Sequence, residues 1–445
     1  MQRNIYTQFL SWKNSPKRKP LLVKGARQVG KTYCIQHFGE KEFEHLFQLN
    51  FDENPELKQF FQGNLDPKRI TRDLGYFFEK EIVPGKHLLF FDEIQECPEA
   101  LNCLKYFQEQ APEYHVIGAG SLLGVKLAHT KGFPVGKVEF LEMYPLSFSE
   151  FLAAIGKLRL NELLSTKSDI EPIAEPIHTE LLSLLKFYFI VGGLPEAVAQ
   201  FASNKDDLQA VRKIQRNILD AYILDFAKHA PSNQVMKITT LWNSILAQLS
   251  KENKKFIFST IHESARSREY EEAMQWLEDA GLILKTYRIT APKIPVEAYI
   301  EPKAYKIFLL DVGLLGAMAH LPPKVIVEGH RLFTEFKGAL TENFVAQGLS
   351  TVFEKRLFYW ANGAEAEVDF ILPVDTEFVP LEVKSGENKR KKSLLVYAEK
   401  YVPSLTLRTS PMNFHQHDKF MNIPLYALIS YLNVPTPNLS ITTSI

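Results

Sequence analysis

The stretch KPLLVKGARQVGKTYCIQHF, residues 19–38, decides how the N-terminal part of this chain folds. Gly25 is followed by four residues and then by Gly30, Lys31 and Thr32, which completes the G-x-x-x-x-G-K-T phosphate-loop pattern. The apolar LLV before the loop predicts a buried strand, and TYCIQHF after it predicts a helix. A strand, a phosphate loop and a helix in this order predict an α/β domain with a parallel sheet.

This loop is expected to bind nucleotide phosphates. Its glycines let backbone N–H groups turn toward phosphate oxygens, while Lys31 neutralises the β- and γ-phosphates and the Thr32 hydroxyl ligates Mg²⁺. The alternative is a glycine-rich turn with an exposed lysine, which the full eight-residue pattern disfavours. The residues assigned to ATP binding are Gly25, Ala26, Arg27, Gln28, Val29, Gly30, Lys31 and Thr32.

A second motif ends the apolar run in HLLFFDEIQECPEA, residues 87–100. A buried parallel strand over 88–91 would deliver Asp92 and Glu93 at its carboxyl end. We assign Asp92 to the Mg²⁺ site and Glu93 to orienting or deprotonating the attacking water. The alternative is that the two acids cap the helix that follows, although this does not explain the strand before them.

Two further polar positions are candidates in the same domain. YHVIGAGS, residues 114–121, predicts a third strand that ends at Ser121. The Ser121 hydroxyl either senses the γ-phosphate through water or caps a local turn. Lys137 is the best-placed cation for a sensor contact or a contact in trans, with an ordinary surface lysine as the alternative.

The middle of the chain is predicted to be helical before it becomes mixed. Residues 156–230 read as an ATPase lid or as a helical linker, with a turn at Gly192, Gly193 and Pro195. Residues 234–300 predict three helices and two short strands, the order of a winged helix-turn-helix.

The charge of the third predicted helix argues against DNA readout. In REYEEAMQWLEDAG, residues 268–281, acidic residues outnumber the single arginine, so a duplex would be repelled. We expect the winged-helix-like region to pack against other domains. The cations of KENKK, residues 251–255, remain candidates for phosphate contact.

The C-terminal region carries a second acidic pattern. Residues 331–349 predict a helix that places Glu342 on a partly apolar face. Asn362 and Gly363 predict a hairpin turn. A further turn centred on residues 375–376 would set Asp369 directly opposite Glu382 in the next strand.

Like charges that face each other across a strand pair are destabilising unless a cation lies between them. Asp369 and Glu382 are therefore predicted to bind a divalent metal, with Lys384 orienting water or stabilising the phosphate, and with Glu342 in the outer shell. The alternative is a surface ion pair, Glu382 with Lys384, on a fold without chemistry. The cations of KRKK, residues 389–392, would hold phosphate beside this site or simply face solvent.

These motifs resemble a known family. GARQVGKT, FFDEIQ, GAGSLLG and YPLSFSEFL, followed by GGLPEAV and DVGLLGA, are similar in order to the prokaryotic AAA-type predicted ATPases that carry an uncharacterised C-terminal domain. That domain resembles the PD-(D/E)XK nucleases through the order Glu342, Asp369, Glu382, Lys384. Asp369 lacks the preceding proline, and Lys137 stands where the family commonly has arginine, so it cannot supply a bidentate fork.

Composition places the chain among ordinary globular proteins. It has 445 residues, of which 45% are hydrophobic, and equal numbers of basic and acidic residues, 52 each, give a net charge of zero. A nucleic-acid partner would need a local basic patch. The three cysteines form no zinc pattern, and no stretch is long enough to span a membrane, so we expect a cytoplasmic protein without a membrane partner.

Together these patterns predict an α/β protein of four domains. We expect an ATP- and Mg²⁺-dependent ATPase whose nuclease-like domain acts on DNA or RNA; the alternative is an ATP-dependent switch or binding protein with an inactive nuclease-like domain. The resemblance also makes a homo-oligomer an option, although the phosphate loop would serve a monomer equally well. The predicted domains are an AAA-type ATPase core over 1–155, a helical lid over 156–230, a winged-helix-like domain over 231–325 and a PD-(D/E)XK nuclease-like domain over 326–445.

Overall fold

The computed structural model divides the chain into two compact units. The first comprises residues 1–144 with 279–281, and the second comprises 145–278 with 282–445. None of the described helices is long and apolar enough to cross a membrane. The structure describes residues 1, 3–127, 136–250, 255–261, 266–328, 334–354, 356–363, 365–386 and 392–433.

The first unit is built on a parallel sheet, as the phosphate-loop stretch predicts. Its strands are β1 (Leu21–Lys24), β2 (His45–Asn50), β3 (His87–Asp92), β4 (His115–Ala119) and β5 (Glu139–Glu142). Their spatial order is β2-β3-β4-β1-β5, and each neighbouring pair is parallel. All residues of β3 and β4 are buried, which explains why both read as continuous apolar runs.

Helices complete this unit and enclose an aromatic core. Leu22, Phe47 and Phe91 belong to this core, which the strands share with the helices beside them. The α-helices are α1 (Ile5–Asn14), α2 (Lys31–Glu42), α3 (Pro67–Phe77), α4 (Pro98–Gln110) and α5 (Leu123–Leu127), with short 3-10 helices over Pro55–Phe61 and Ile94–Glu96.

The second unit contains twelve of the described α-helices, and its first part is helical. The pattern over 156–230 is confirmed as helical, and the first helix of the next region is also present. The helices are α6 (Phe148–Ala154), α7 (Leu158–Thr166), α8 (Glu175–Val191), α9 (Pro195–Ser203), α10 (Leu208–His229), α11 (Val235–Leu249), α12 (Ser267–Asp279), α13 (Val312–Met318), α14 (Pro323–Glu328), α15 (Thr334–Val352), α16 (Lys392–Tyr401) and α17 (Leu428–Asn433).

A single mixed sheet runs through the second unit. Its strands are β6 (Ile283–Ile289), β7 (Ile300–Leu309), β8 (Leu357–Asn362), β9 (Ala366–Val374), β10 (Glu377–Val383), β11 (Thr406–Ser410), β12 (His415–His417) and β13 (Phe420–Pro424). Their order in space is β12-β13-β11-β10-β9-β8-β6-β7. Strands β6 and β8 are parallel, whereas β6 with β7 and β8 with β9 are antiparallel.

The region that was predicted to form a winged helix-turn-helix differs from that prediction in two of its elements. A 3-10 turn over Phe258–Thr260 stands where a second helix was expected, although residues 262–265 lie outside the described part of the chain. The second strand runs over Ile300–Leu309 rather than ending near residue 300, because Val296–Tyr299 forms a 3-10 turn. The expected wing strands belong to the same sheet as β8 to β13, so the predicted boundary at residue 325 does not separate two sheets.

The hairpin formed by β9 and β10 agrees with the turn prediction. Strands β9 and β10 are joined by Asp375 and Thr376 alone, and Asp375 has a positive φ of 51°. The pairing runs from Val374 opposite Glu377 to Phe370 opposite Leu381. One further step of this register sets Asp369 opposite Glu382, as the symmetric turn predicts.

A buried aspartate joins three segments of the second unit. Asp311 caps α13, where its Oδ1 accepts a hydrogen bond from the backbone N–H of Leu314 at 2.9 Å. Its Oδ2 accepts one from the backbone N–H of Gly193 at 2.6 Å and one from Gln347 Nε2 at 3.4 Å. The carboxylate thereby ties the turn after α8 and helix α15 to α13.

GGLPEAV and DVGLLGA, two motifs that are distant in the sequence, contact each other at the same junction. Gly192 has a φ of 72°, and a Cβ atom there would lie 2.1 Å from the Oδ1 of Asp311. Arg212 Nη1 donates to the backbone carbonyl of Gly313 at 3.0 Å and to that of Ile190 at 3.2 Å. The Gly192 to Pro195 turn ends α8 as predicted, while its role in a lid stays a prediction.

Candidate functional site

The phosphate loop lies between β1 and α2. Gly30 and Gln28 have positive φ angles of 93° and 65°, so the backbone curls before the helix begins at Lys31. Gly25 has a φ of 141°, and a Cβ atom there would lie 2.2 Å from the carbonyl oxygen of Met143. The loop therefore requires glycine at this position for steric as well as conformational reasons.

Lys31 is folded back over the loop. Its Nζ donates to the carbonyl oxygens of Gly25 and Ala26, each at 2.8 Å, and the residue is 8% exposed. Burial lowers its pKa to about 8, although attraction by Glu93 and Asp92 opposes that shift. The ammonium group is thus held at the loop by two acceptors that a bound phosphate would replace.

Thr32 and Asp92 meet although they are distant in the sequence. The Thr32 hydroxyl donates to Asp92 Oδ1 at 3.2 Å, and Gln48 Nε2 donates to Asp92 Oδ2 at 3.2 Å. Gln48 is itself fixed by Gln36, whose Nε2 donates to it at 2.8 Å. A hydroxyl and a carboxylate at this separation fit Mg²⁺, which is usually held in proteins by few side-chain oxygens together with water and phosphate.

The environment of the Asp92 carboxyl group disfavours its charged form. It is 3% exposed at the end of a fully buried strand. Burial and the neighbouring charge of Glu93 raise its pKa to about 6, against the opposing hydrogen bonds. Carboxyl groups with pKa values raised by burial and a neighbouring charge cluster at functional sites.

Glu93 is held by side chains on two sides. Its backbone is left-handed, with a φ of 48°, and its N–H donates to Asp92 Oδ1 at 3.1 Å. Its Oε2 accepts hydrogen bonds from Gln95 Nε2 at 2.5 Å and from the Ser121 hydroxyl at 3.4 Å. The Ser121 side chain is therefore placed by Glu93, and its sensing role stays a prediction.

The sequence pattern did not reveal several supporting residues. Arg3 is 7% exposed, and its guanidinium donates to the carbonyl oxygen of Val29 at 2.9 Å and to that of Tyr144 at 2.6 Å. Gln95 closes the space beside Gly120, where a Cβ atom would lie 1.9 Å from its Oε1. No motif marks Arg3, because its partners are distant along the chain, whereas Gln95 ends the FFDEIQ motif and donates to Glu93 two residues away.

Lys137 has the contacts of a surface residue. Its Nζ lies 3.0 Å from Glu109 Oε1, and the Lys137 side chain is 42% exposed. An exposed pair of this kind contributes little to stability. The geometry within the first unit agrees with the surface alternative, and a contact in trans stays a prediction.

The second candidate site lies on the sheet of the second unit. Asp369 on β9 accepts a hydrogen bond at Oδ2 from the backbone N–H of Val383, at 2.8 Å. Glu382 on β10 is 5% exposed, and its Oε1 lies 2.7 Å from Lys384 Nζ. The two acids and the lysine of the predicted cluster are thus brought together.

The Glu382 carboxylate is only partly satisfied. Its Oε2 has no hydrogen-bond partner in the part of the chain that the structure describes. Burial raises its pKa, while Lys384 and Arg408 counteract that shift. Arg408 stands opposite it on β11 and donates to Asn422 Oδ1 at 3.0 Å.

A buried lysine, which no sequence motif marks, faces this cluster. Lys306 on β7 is 1% exposed, and its Nζ lies 2.5 Å from Glu367 Oε1 and 4.0 Å from Asp369 Oδ1. Glu342 on α15 also acts on it electrostatically. Glu342 therefore acts on the same buried lysine as Glu367 and Asp369, and its place in the outer shell of a metal site stays a prediction.

This arrangement does not fit a resident divalent cation. Among the described residues, no three His, Cys, Asp or Glu side chains are grouped as a metal site. Asp369 directs Oδ2 to a backbone N–H and Oδ1 toward an ammonium group. The predicted metal at Asp369 and Glu382 stays a prediction that this geometry does not support. Most of the KRKK and KENKK cations lie outside the described residues.

Comparison with protein families finds a known domain in the N-terminal part of the chain. Residues 17–152 match the AAA domain, so this segment is an AAA-type P-loop ATPase domain, and ATP is its expected nucleotide. Residues 182–325 and 337–428 match two domains of unknown function, DUF8612 and DUF4143. No nuclease or winged-helix family is among these matches, and no curated protein matches the chain.

Solved structures with a similar arrangement are distant. The Walker-type ATPase of Pyrococcus abyssi is 14% identical, with a TM-score of 0.43, over 72% of this chain and 95% of that chain. The ORC1 protein of Aeropyrum pernix, solved in complex with DNA, is 11% identical, with a TM-score of 0.29, over 72% and 91%. AMPPCP-bound DnaA from Aquifex aeolicus is 14% identical, with a TM-score of 0.27, over 62% and 86%.

Proposed function

We propose that this protein hydrolyses ATP with Mg²⁺ at the carboxyl edge of the first sheet. The observation that carries the proposal is the hydrogen bond between Thr32 and Asp92, 3.2 Å long, beside the buried ammonium of Lys31. These groups come from the start of α2 and from the end of β3. They supply a cation for phosphate oxygens and two oxygens for Mg²⁺ in one place.

Each residue has a distinct part in this proposal. Mg²⁺ would neutralise charge on the phosphate oxygens, held by Thr32 and Asp92. Lys31 exchanges its two carbonyl acceptors for phosphate oxygens. Glu93 orients the attacking water, and Gln95 and Ser121 keep its carboxylate in position.

The proposal predicts a bell-shaped dependence of kcat/KM on pH. Asp92 has a raised pKa of about 6 and must be ionised to hold Mg²⁺, so activity rises through that pH. Lys31 has a lowered pKa of about 8 and must be protonated to bind phosphate, so activity falls above that pH. Because kcat/KM reports groups of the free enzyme, steady-state phosphate release at low ATP measures both limbs.

Two conditions keep this test clear. Mg²⁺ is held in excess over ATP, so that protonation of the nucleotide does not produce the acid limb. ATP affinity measured without Mg²⁺, and therefore without turnover, should show the alkaline limb alone, because that limb belongs to Lys31 and the acid limb depends on the Mg²⁺ held by Asp92. A flat profile from about pH 5 to about pH 9.5 contradicts the proposed roles of both groups.

For the second unit we propose a binding function switched by ATP rather than metal-dependent cleavage. The observation that supports it is the Lys306 ammonium, 2.5 Å from Glu367 and 4.0 Å from Asp369, at the acidic cluster. A nuclease acting on DNA or RNA is the second candidate. The register that sets Asp369 opposite Glu382, with Lys384 beside it, favours that candidate.

A cleavage assay separates the two candidates. Wild-type protein and Glu382→Ala are incubated with single- and double-stranded DNA and RNA, with Mg²⁺ or Mn²⁺, with and without ATP. We expect no cleavage by either protein and unchanged ATP hydrolysis. Cleavage by the wild type that falls at least about 100-fold in Glu382→Ala would establish the nuclease instead.

A control variant guards this comparison against loss of folding. Glu377→Ala removes an exposed acid from the other end of the same strand and should match the wild type in every assay. Nucleic-acid binding is measured on the same proteins by fluorescence anisotropy. Partners beyond ATP, a homo-oligomer and a cytoplasmic location stay predictions.

A further inference from the structure

Lys306 is a buried cation on a strand that otherwise contributes to a core. It is 1% exposed, and the strand residues from Ala304 to Leu309 are buried as well. Its Nζ lies 2.5 Å from Glu367 Oε1, 4.0 Å from Asp369 Oδ1 and 4.9 Å from the ring centroid of Tyr359. A fully buried lysine is rare unless it is paired with acids.

The backbone of this lysine is fixed from two sides. Lys306 pairs with Thr286 in the β6–β7 ladder. Three residues later, Leu309 exchanges two hydrogen bonds with the side chain of Asn343, at 2.8 Å and 3.0 Å. Asn343 is adjacent to Glu342 in α15, so the helix that carries the third acid also anchors the strand that carries the cation.

The charges around Lys306 explain why it remains an ammonium group. Burial lowers its pKa, but the attraction of Glu367, Glu342 and Asp369 outweighs burial and places the pKa above its ordinary value. Removing a charged partner from a buried group leaves the remaining charge uncompensated, which is costly. The acids and the lysine therefore depend on each other for burial.

We infer that Lys306 is the resident cation of the acidic cluster formed by Glu342, Glu367 and Asp369, and that it excludes a divalent metal from that cluster. The inference rests on the binding function proposed for the second unit and gives its physical basis. One ammonium group supplies the positive charge that Asp369 and its neighbours require. A divalent cation would have to displace a buried ammonium group that is paired with Glu367 and Asp369.

The consequence is that one side chain, rather than a metal ion, offsets the negative charge of these carboxylates. Replacing Lys306 with methionine keeps most of the length and the apolar stem of the side chain and removes the charge. The three carboxylates would then lose the ammonium group of Lys306, and a divalent metal would offset two of their three negative charges. Lys306→Arg keeps the charge and serves as the matched control.

The test measures Mn²⁺ binding by electron paramagnetic resonance, without nucleotide. Every protein carries Asp92→Asn, which disables the metal position of the first unit. With Lys306 in place we expect no Mn²⁺ binding that depends on Asp369. Lys306→Met should bind one Mn²⁺ ion with at least about 10-fold higher affinity than Lys306→Arg does. Adding Asp369→Asn to Lys306→Met should abolish this binding.

The outcomes that overturn the inference are distinct. Mn²⁺ bound in the presence of Lys306 and lost with Asp369→Asn would show that the lysine does not exclude metal. A folded Lys306→Met protein that takes up no more Mn²⁺ than Lys306→Arg would do the same. If Lys306→Met unfolds, Mn²⁺ binding compared with and without Asp369→Asn, with Lys306 kept in both proteins, still decides whether the lysine-containing cluster binds the metal.

Nucleic-acid cleavage measured on the same proteins keeps the two proposals separate. Cleavage by the lysine-containing protein without Asp369-dependent Mn²⁺ binding would refute the proposed binding function and leave the role of Lys306 intact. Asp369-dependent Mn²⁺ binding by that protein, without cleavage, would refute the role of Lys306 alone. Cleavage gained only in Lys306→Met, with its Mn²⁺ ion, would support the inference.

Discussion

Lys31→Ala and Glu93→Gln are expected to abolish ATP hydrolysis for different reasons. Lys31→Ala removes the buried ammonium that is held at the loop by Gly25 and Ala26, so both ATP affinity and turnover should fall, the latter at least about 100-fold. Glu93→Gln leaves Lys31 and Thr32 unchanged. Its turnover should fall by about 100-fold to about 10,000-fold, while ATP remains bound.

The measurement combines phosphate release with equilibrium binding of a fluorescent ATP analogue. Lys86→Ala provides a matched control, because Lys86 forms an exposed pair with Glu44 and is 58% exposed. It should retain full turnover. Wild-type turnover by Lys31→Ala would refute hydrolysis at this loop, and loss of ATP binding in Glu93→Gln would refute the proposed division between binding and catalysis.

Asp311→Ala is expected to cause a large loss of stability in the second unit. The change leaves the N–H groups of Gly193 and Leu314 without their buried acceptor. An unsatisfied buried polar group costs about 1–3 kcal/mol, so we expect a loss of about 3–5 kcal/mol in the free energy of unfolding of the second unit.

Urea denaturation followed by tryptophan fluorescence can observe that unit. Three of the four tryptophans, Trp242, Trp276 and Trp360, belong to it. Asp207→Ala is the matched control, because Asp207 also accepts a hydrogen bond at a helix start but is not fully buried. It should cost only about 1 kcal/mol. Equal losses in the two variants would contradict the special role of the Asp311 junction.

Sequence reasoning succeeded where the determining residues are contiguous. The phosphate loop needs eight neighbouring residues, and its strand and helix follow directly, so β1, β3 and β4 were predicted correctly. The register of Asp369 against Glu382 was also predictable, because a two-residue turn at Asp375 fixes the pairing of both strands. In both cases the residues that determine the structure are close together in the sequence.

Sequence reasoning failed where a contact joins distant segments. Lys306 was not singled out because its strand was expected to end near residue 300. Arg3 was missed because its partners, Val29 and Tyr144, are backbone carbonyls that have no sequence signature. Two strands are present where a wing was expected, but the parallel pairing of β6 with β8 joins chain segments far apart and could not be foreseen.

The parallel pairing of β6 with β8 also makes it unfavourable for evolution to separate the segments that contain these two strands. Thr286 and Tyr287 pair with Leu357 and Phe358, so hydrogen bonds cross between the segments that match DUF8612 and DUF4143. Either segment inherited alone would present an open strand edge, which favours association with other chains. The two segments are therefore expected to occur together in one chain rather than separately.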